Sequence, residues 1–152
     1  MKPLNNYILP VDNSQGLFGA IRKHDIHTGI DLYCEKHDIV YAIEDGVVVN
    51  VCVFTGPGAG LPWWNDTKAV LIEGKSGVIL YGELDTELMI GDLIKEGDMI
   101  GMILTVLKKD KGLPMNMLHL ELYERGYRGD GEIWRIGEDK PKFLLDPTKL
   151  IY

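Results

Sequence analysis

Eighteen glycines in 152 residues fall between short apolar runs, and this punctuation restricts the fold more than any other feature. Glycine weakens a helix interior and suits tight turns, so the pattern favours many short strands over long helices. Candidate strands are 29–33, 39–42, 47–55, 69–72, 78–84, 99–107 and 117–123. No segment keeps a 3.6-residue apolar period over three turns, and only residues 85–89 suggest a short helix or turn. Val47 to Val49 and Val51 to Val53 are apolar on both faces, which predicts a central strand. The expectation is an all-β chain of one or two small antiparallel sheets. A faint echo runs between 38–47 and 92–101: a charged turn, an apolar stretch, an acidic Gly turn, then a second strand.

Length predicts one domain over residues 1–152, with enough chain to bury a core without disulfides. Sixteen basic against 23 acidic residues give a net charge of −7, and no basic run exceeds two residues. A nucleic-acid partner is therefore not expected. Nor is a membrane partner, since no uncharged apolar stretch approaches the roughly 20 residues of a span. The opening residues, Met1 to Asn6, lack the apolar region of a signal peptide. This predicts a cytoplasmic protein, or one released from a cell or virion by another route. Cys34 and Cys52 make no disulfide framework and are expected as buried free thiols.

Two loops stand out as places to build a site. Residues 56–66 are rich in Gly and Pro and end in Trp63, Trp64, Asn65 and Asp66; residues 108–114 are charged. The tryptophans suit either a packed lid or a wall of a substrate groove.

Four histidines can be weighed singly. His27 and Asp31 lie four apart across Thr28-Gly29-Ile30, which disfavours a helix. On a straight strand they would be about 13 Å apart, too far to share an ion, unless Gly29 lets the chain bend. The spacing alone fits a surface histidine beside a strand-start aspartate equally well. His119 sits in a period-2 run: Leu118, Leu120 and Leu122 face one side, and Met117, His119, Glu121 and Tyr123 face the other. It can be a solvated strand histidine, or one oriented by Glu121. His24 suits the surface or a cleft wall, and His37 lies in a turn and receives no role.

In order along the chain, Phe18-Gly19 with Arg22, His27-Thr28-Gly29-Ile30-Asp31-Leu32, residues 40–48, Tyr81-Gly82-Glu83-Leu84, residues 97–101, Leu118-His119-Leu120-Glu121 and Asp146-Pro147 resemble the LytM/lysostaphin-type zinc endopeptidases. The resemblance spans nearly the whole chain. It implies a duplicated-hybrid-motif fold, like a barrel-sandwich hybrid, with antiparallel sheets around a groove. It also implies one zinc per chain on His27, Asp31 and His119, leaving one position for water. The implied activity is hydrolysis of peptide bonds in peptidoglycan cross-links, with peptide or peptidoglycan as partner.

Two departures accompany the resemblance. Glu83 stands where the family has the histidine of Tyr-x-His-Leu, and Met117 where it has the first histidine of His-x-His. Those are the family's catalytic histidines that do not bind zinc. Met117 can do neither job, whereas Glu83 can accept a proton from activated water; it also suits a solvated strand end. By alternation Glu83 is expected on the same face as Tyr81. Tyr81, His24, Asn65 and Asp66 are candidate cleft residues and replacement donors. Rival readings are a metal-keeping pseudoenzyme that binds peptides, a hybrid-fold phosphoryl carrier built on His27 to Asp31, and a lipoyl-type carrier using Lys68.

Overall fold

A computed structural model describes every residue except 13 and 110–114, so most of the charged loop expected at 108–114 lies outside the described residues. The strands are β1 Asp25–Ile26, β2 Ile30–Tyr33, β3 Ile39–Tyr41 and β4 Gly46–Thr55. Then come β5 Thr67–Gly74, β6 Gly77–Asp85, β7 Leu93–Ile94 and β8 Met99–Ile103. The last are β9 Met117–Tyr123, β10 Trp134–Arg135 and β11 Leu144–Leu145. Every strand pairing is antiparallel, which is the all-β architecture expected. No helix of the described residues is long and apolar enough to cross a membrane.

One sheet carries the order β11-β9-β6-β5-β4-β7, with β2 also on β9 and β3 joined to β6 through β8. β1 and β10 form a separate two-stranded ribbon. The echoing segments pair with each other crosswise: β3 with β8, and β4 with β7 at Gly46 and Val47. Ala42 and Gly97 exchange further backbone bonds across this seam, through the carbonyl oxygens of Asp98 and Ala42. Thus each copy's first strand completes the other copy's second.

Two apolar clusters sandwich the sheet. Ile30, Leu32, Leu118, Leu120 and Leu122 join one; Leu71, Leu80, Tyr123 and Tyr127 join the other. This corrects the expectation for β4. It pairs along its length with β5, but its other edge meets β7 at only two residues, so it is close to an edge strand. Its double-faced apolarity arises because Val48 faces one cluster while Val49, Cys52 and Phe54 pack on the other. Of the short helix or turn suggested at 85–89 there is no helix, and a turn begins only at Met89, whose carbonyl takes the Asp92 N–H at 3.1 Å. Asp85 Oδ1 takes the Thr86 N–H, Thr86 Oγ1 takes that of Leu88 and Asp92 takes that of Met89, so side chains divert the backbone groups a helix would use. Cys34 and Cys52 are free but only half-buried.

β6 changes partners along one edge, pairing with β9 from Val78 to Gly82 and with β8 from Leu84. Its register with β5 shifts at the same place. Glu83 is the residue at this seam, with φ of 68°, a left-handed conformation that costs a non-glycine residue about 1–2 kcal/mol.

Candidate metal centre

The register of β2, β9 and β6 puts Asp31, His119 and Gly82 in one row. Leucine alternation fixes this, because Ile30, Leu32, Leu118 and Leu120 must face the core, leaving Asp31 and His119 on the opposite face. His27 arrives from the loop before β2, with its backbone N–H held by Ala20 O. Gly29 serves that arrangement by close approach. Its φ is not left-handed, but a Cβ there would lie 2.8 Å from Cε1 of His119 and run into Leu120 O. Gly82 likewise makes room for the Phe54 ring, which packs 5.5 Å from the His119 ring.

Three buried atoms converge: His27 Nε2 and His119 Nδ1 are 3.3 Å apart, and Asp31 Oδ1 lies 3.3 Å from the first and 2.8 Å from the second. Ligand atoms held about 2.0–2.1 Å from a tetrahedral centre stand roughly 3.3 Å from one another, so the triangle matches one face of such a site. The outer nitrogens agree. His27 Nδ1 donates to Leu17 O at 3.0 Å, and His119 Nε2 donates to Glu121 Oε2 at 2.8 Å. A carbonyl and a carboxylate can only accept, so each bond keeps the inner nitrogen available as a lone pair. Two lone pairs and a carboxylate facing one another require a positive charge between them.

The electrostatics say the same. Burial alone would raise the Asp31 carboxyl, but the His119 hydrogen bond, with the His27 ring close beside it, outweighs burial and holds it well below the usual carboxylate range. Burial opposes charge on His119, yet its bonds to Asp31 and Glu121 push it up to about 10. A proton on Nδ1 therefore supplies the positive charge in the metal-free chain, and a divalent cation would take its place.

Glu121 is anchored from three sides. Its Oε2 also accepts from Thr28 Oγ1 at 2.6 Å, and its Oε1 from Tyr123 Oη at 2.5 Å. Asp31 Oδ2 receives Arg22 at 3.3 Å, while the same guanidinium is pinned to Gln15 O at 2.7 Å. Thr28, Arg22 and Tyr123 were given no role on sequence grounds. Each nevertheless carried a signal: Arg22 and Thr28 stand in the motifs of the family resemblance, and Tyr123 is the next residue on the face of His119 and Glu121.

The triad lies in a cleft of about 1140 Å³, lined by Phe54, Trp64, Glu83, Val106 and Met117 among others. Glu83 Oε2 is buried with no hydrogen-bond partner among the described residues. Burial first, and then the nearby charge of Asp31, push its carboxyl up to about 8, partly offset by His119 and Arg22.

Several expectations for cleft residues are corrected. Tyr81 does not share a face with Glu83: it is buried in the core, its hydroxyl accepting from Ile43 N at 3.0 Å. The shift at Glu83 reverses the alternation there. His24 is exposed and outside the cleft, carried on the turn before β1. Trp63, Asn65 and Asp66 do not line it either. Trp63 is 60% exposed with its edge on Trp64, Asn65 ties its amide to Thr105 O, and Asp66 turns back to Gly58 N. From that loop Trp64 does face the cleft, beside Gly58, Ala59 and Leu61, and it is held by a bridge to Leu107.

The sequence model described as peptidase family M23 matches residues 25–130. A Pseudomonas aeruginosa structure ascribed to peptidase M23 is similar, with a TM-score of 0.55 at 14% identity, over 99% of this chain and 49% of that one. Helicobacter pylori Csd3 is similar at a TM-score of 0.54 and 19% identity, over 90% of this chain and 36% of that one. The chain thus spans about half or less of these relatives. At such identities they speak for the fold. No curated protein matches the chain significantly.

Proposed function

The chain belongs to peptidase family M23, and from that premise we propose that it is a zinc-dependent endopeptidase acting on peptide cross-links of a bacterial cell wall. The observation that carries this reading is the convergence of His27 Nε2, His119 Nδ1 and Asp31 Oδ1 in a cleft that also holds Glu83, whose Oε2 has no hydrogen-bond partner among the described residues. Zinc suits two imidazoles and one carboxylate, and when bound it would polarise a carbonyl and acidify a water.

The remaining steps belong to the chain's own groups. His27 and His119 offer neutral lone pairs, Leu17 O and Glu121 holding their outer protons in place. Glu83 accepts a proton from the attacking water and returns it to the departing amine, so that water adds across the broken C–N bond. Replacing Glu121 with alanine would free the His119 ring, and metal affinity is expected to fall about 10–100-fold, measured by competition with a chelator.

A second reading is favoured by Met117. It lines the cleft opposite Tyr33, two residues from His119, and can neither give nor take a proton. On that reading the chain holds metal and binds peptides without turnover. The deciding test incubates metal-loaded and chelated protein with purified cell wall and with glycine-rich and mixed peptide libraries. New amino termini that depend on metal support the peptidase. Binding without any cleavage would leave the binding module.

A further inference from the structure

Hydrolysis of an amide needs more than a base. As the carbonyl carbon becomes tetrahedral its oxygen gains charge, and a fixed donor aimed at that oxygen lowers the barrier. Most cleft donors are already committed. Arg22 is held by Gln15 O and Asp31, Thr28 donates to Glu121, and the Trp134 indole donates to Glu138 O. Thr55 is tied to Thr67 and Asn65 O.

Tyr33 differs from these. It follows Asp31 by two residues on β2, so both side chains leave the same face, and it pairs directly with Met117 as Asp31 pairs with His119. Its backbone is locked on both edges, by β9 on one side and by mutual bonds with Ile8 of 2.8 and 3.0 Å on the other. Its phenol lies over Gly16, where any side chain would collide with the hydroxyl, and the Gly16 carbonyl takes the Asp31 N–H at 2.9 Å. The tip of the phenol and the ligand Asp31 therefore share one neighbour, and Tyr33 lines the same cleft as Glu83 and His119.

We propose that the Tyr33 hydroxyl is the donor that stabilises the developing oxyanion, on the opposite strand from the thioether of Met117. The assignment rests on the peptidase reading above. Tyr33 donates a hydrogen bond that strengthens as the carbonyl oxygen becomes negative, and it exchanges no proton overall. Its proximity to Met117 also says where a replacement donor would go.

The test uses Tyr33→Phe, which removes one oxygen and leaves the ring in place. Metal content and KM should stay near wild type, while kcat falls about 100-fold. Adding Met117→His to that variant should restore at least about tenfold, because an imidazole directly across the ladder reaches the same ground. A role in packing alone predicts that Met117→His gains no more in Tyr33→Phe than it gains in wild type, so the same substitution is measured in both backgrounds. A phosphinic glycylglycine peptide, tetrahedral at phosphorus, gives a readout independent of turnover, and its affinity for metal-loaded Tyr33→Phe should fall by a similar factor. A kcat within about threefold of wild type, or an unchanged phosphinate affinity, overturns the assignment. If wild type cleaves nothing, the peptidase reading fails, and the phosphinate comparison still decides for or against Tyr33. Absence of phosphinate binding by wild type counts against it.

Discussion

Glu83→Gln is expected to slow peptide hydrolysis by about 10²–10⁴-fold while metal content stays at its wild-type level. Glutamine keeps the size and the buried position but cannot take a proton. Cleavage assays alongside elemental analysis check the result, and a variant as fast as wild type would remove Glu83 from the mechanism. The same substitution carries a stability signature of opposite sign. In the metal-free chain, burial raises the Glu83 carboxyl to about 8 from an ordinary 4.5. Below the ordinary value the group is neutral in both the folded and unfolded states and has no effect. As pH rises above it, the unfolded chain ionises first, and stability is progressively lost until the folded carboxyl also ionises. Metal-free Glu83→Gln escapes that loss, so it should be more stable than metal-free wild type at pH 7, by ~1–3 kcal/mol, with the advantage vanishing below about pH 4. Denaturant melts at the two pH values decide this. The carboxylate would then be a group kept at a cost to the fold.

His119→Ala should lose most of its metal, from close to one ion per chain to a small fraction, at micromolar protein after gentle purification. Removing one of three ligands leaves a carboxylate and a single imidazole, too few to hold a divalent ion firmly. The vacancy also leaves Asp31 and Glu121 without the imidazolium that lies within 2.8 Å of each. Uncompensated buried charge typically costs about 3–5 kcal/mol, so this variant should melt well below wild type. His27→Ala is the gentler companion, since its ring gives up a bond to Leu17 O rather than a bridge between two acids. Full stoichiometry in a protein lacking both histidines would show that the metal sits elsewhere.

The strands were largely legible because glycine spacing and β-branched runs act locally. The alternation of Leu118, Leu120 and Leu122 by itself puts His119 and Glu121 on one face. The likeness between 38–47 and 92–101 was also readable, though not that the two would pair crosswise. What failed was anything decided by an irregularity or by distant neighbours. Alternation put Tyr81 with Glu83, but one residue with positive φ reversed it. Apolarity placed β4 at the centre, whereas it reports packing on two faces and says nothing of edge partners. Thr28 and Arg22 were invisible as supports because their partners, Glu121 and Asp31, are distant in sequence or reached through a loop.

The crosswise pairing of β3 with β8 and β4 with β7 sets how this chain can assemble. Neither copy of the echoing segment can satisfy its own edges, so neither is a unit that folds alone. The β4–β5–β6 meander lies between them in sequence and can form from neighbouring turns. The two seams can close only after that length of chain has been looped, which places their closure late and makes it concerted. A chain cut between the copies would therefore lose both seams together, and ribosomal synthesis must pass β8 before β3 has its partner strand.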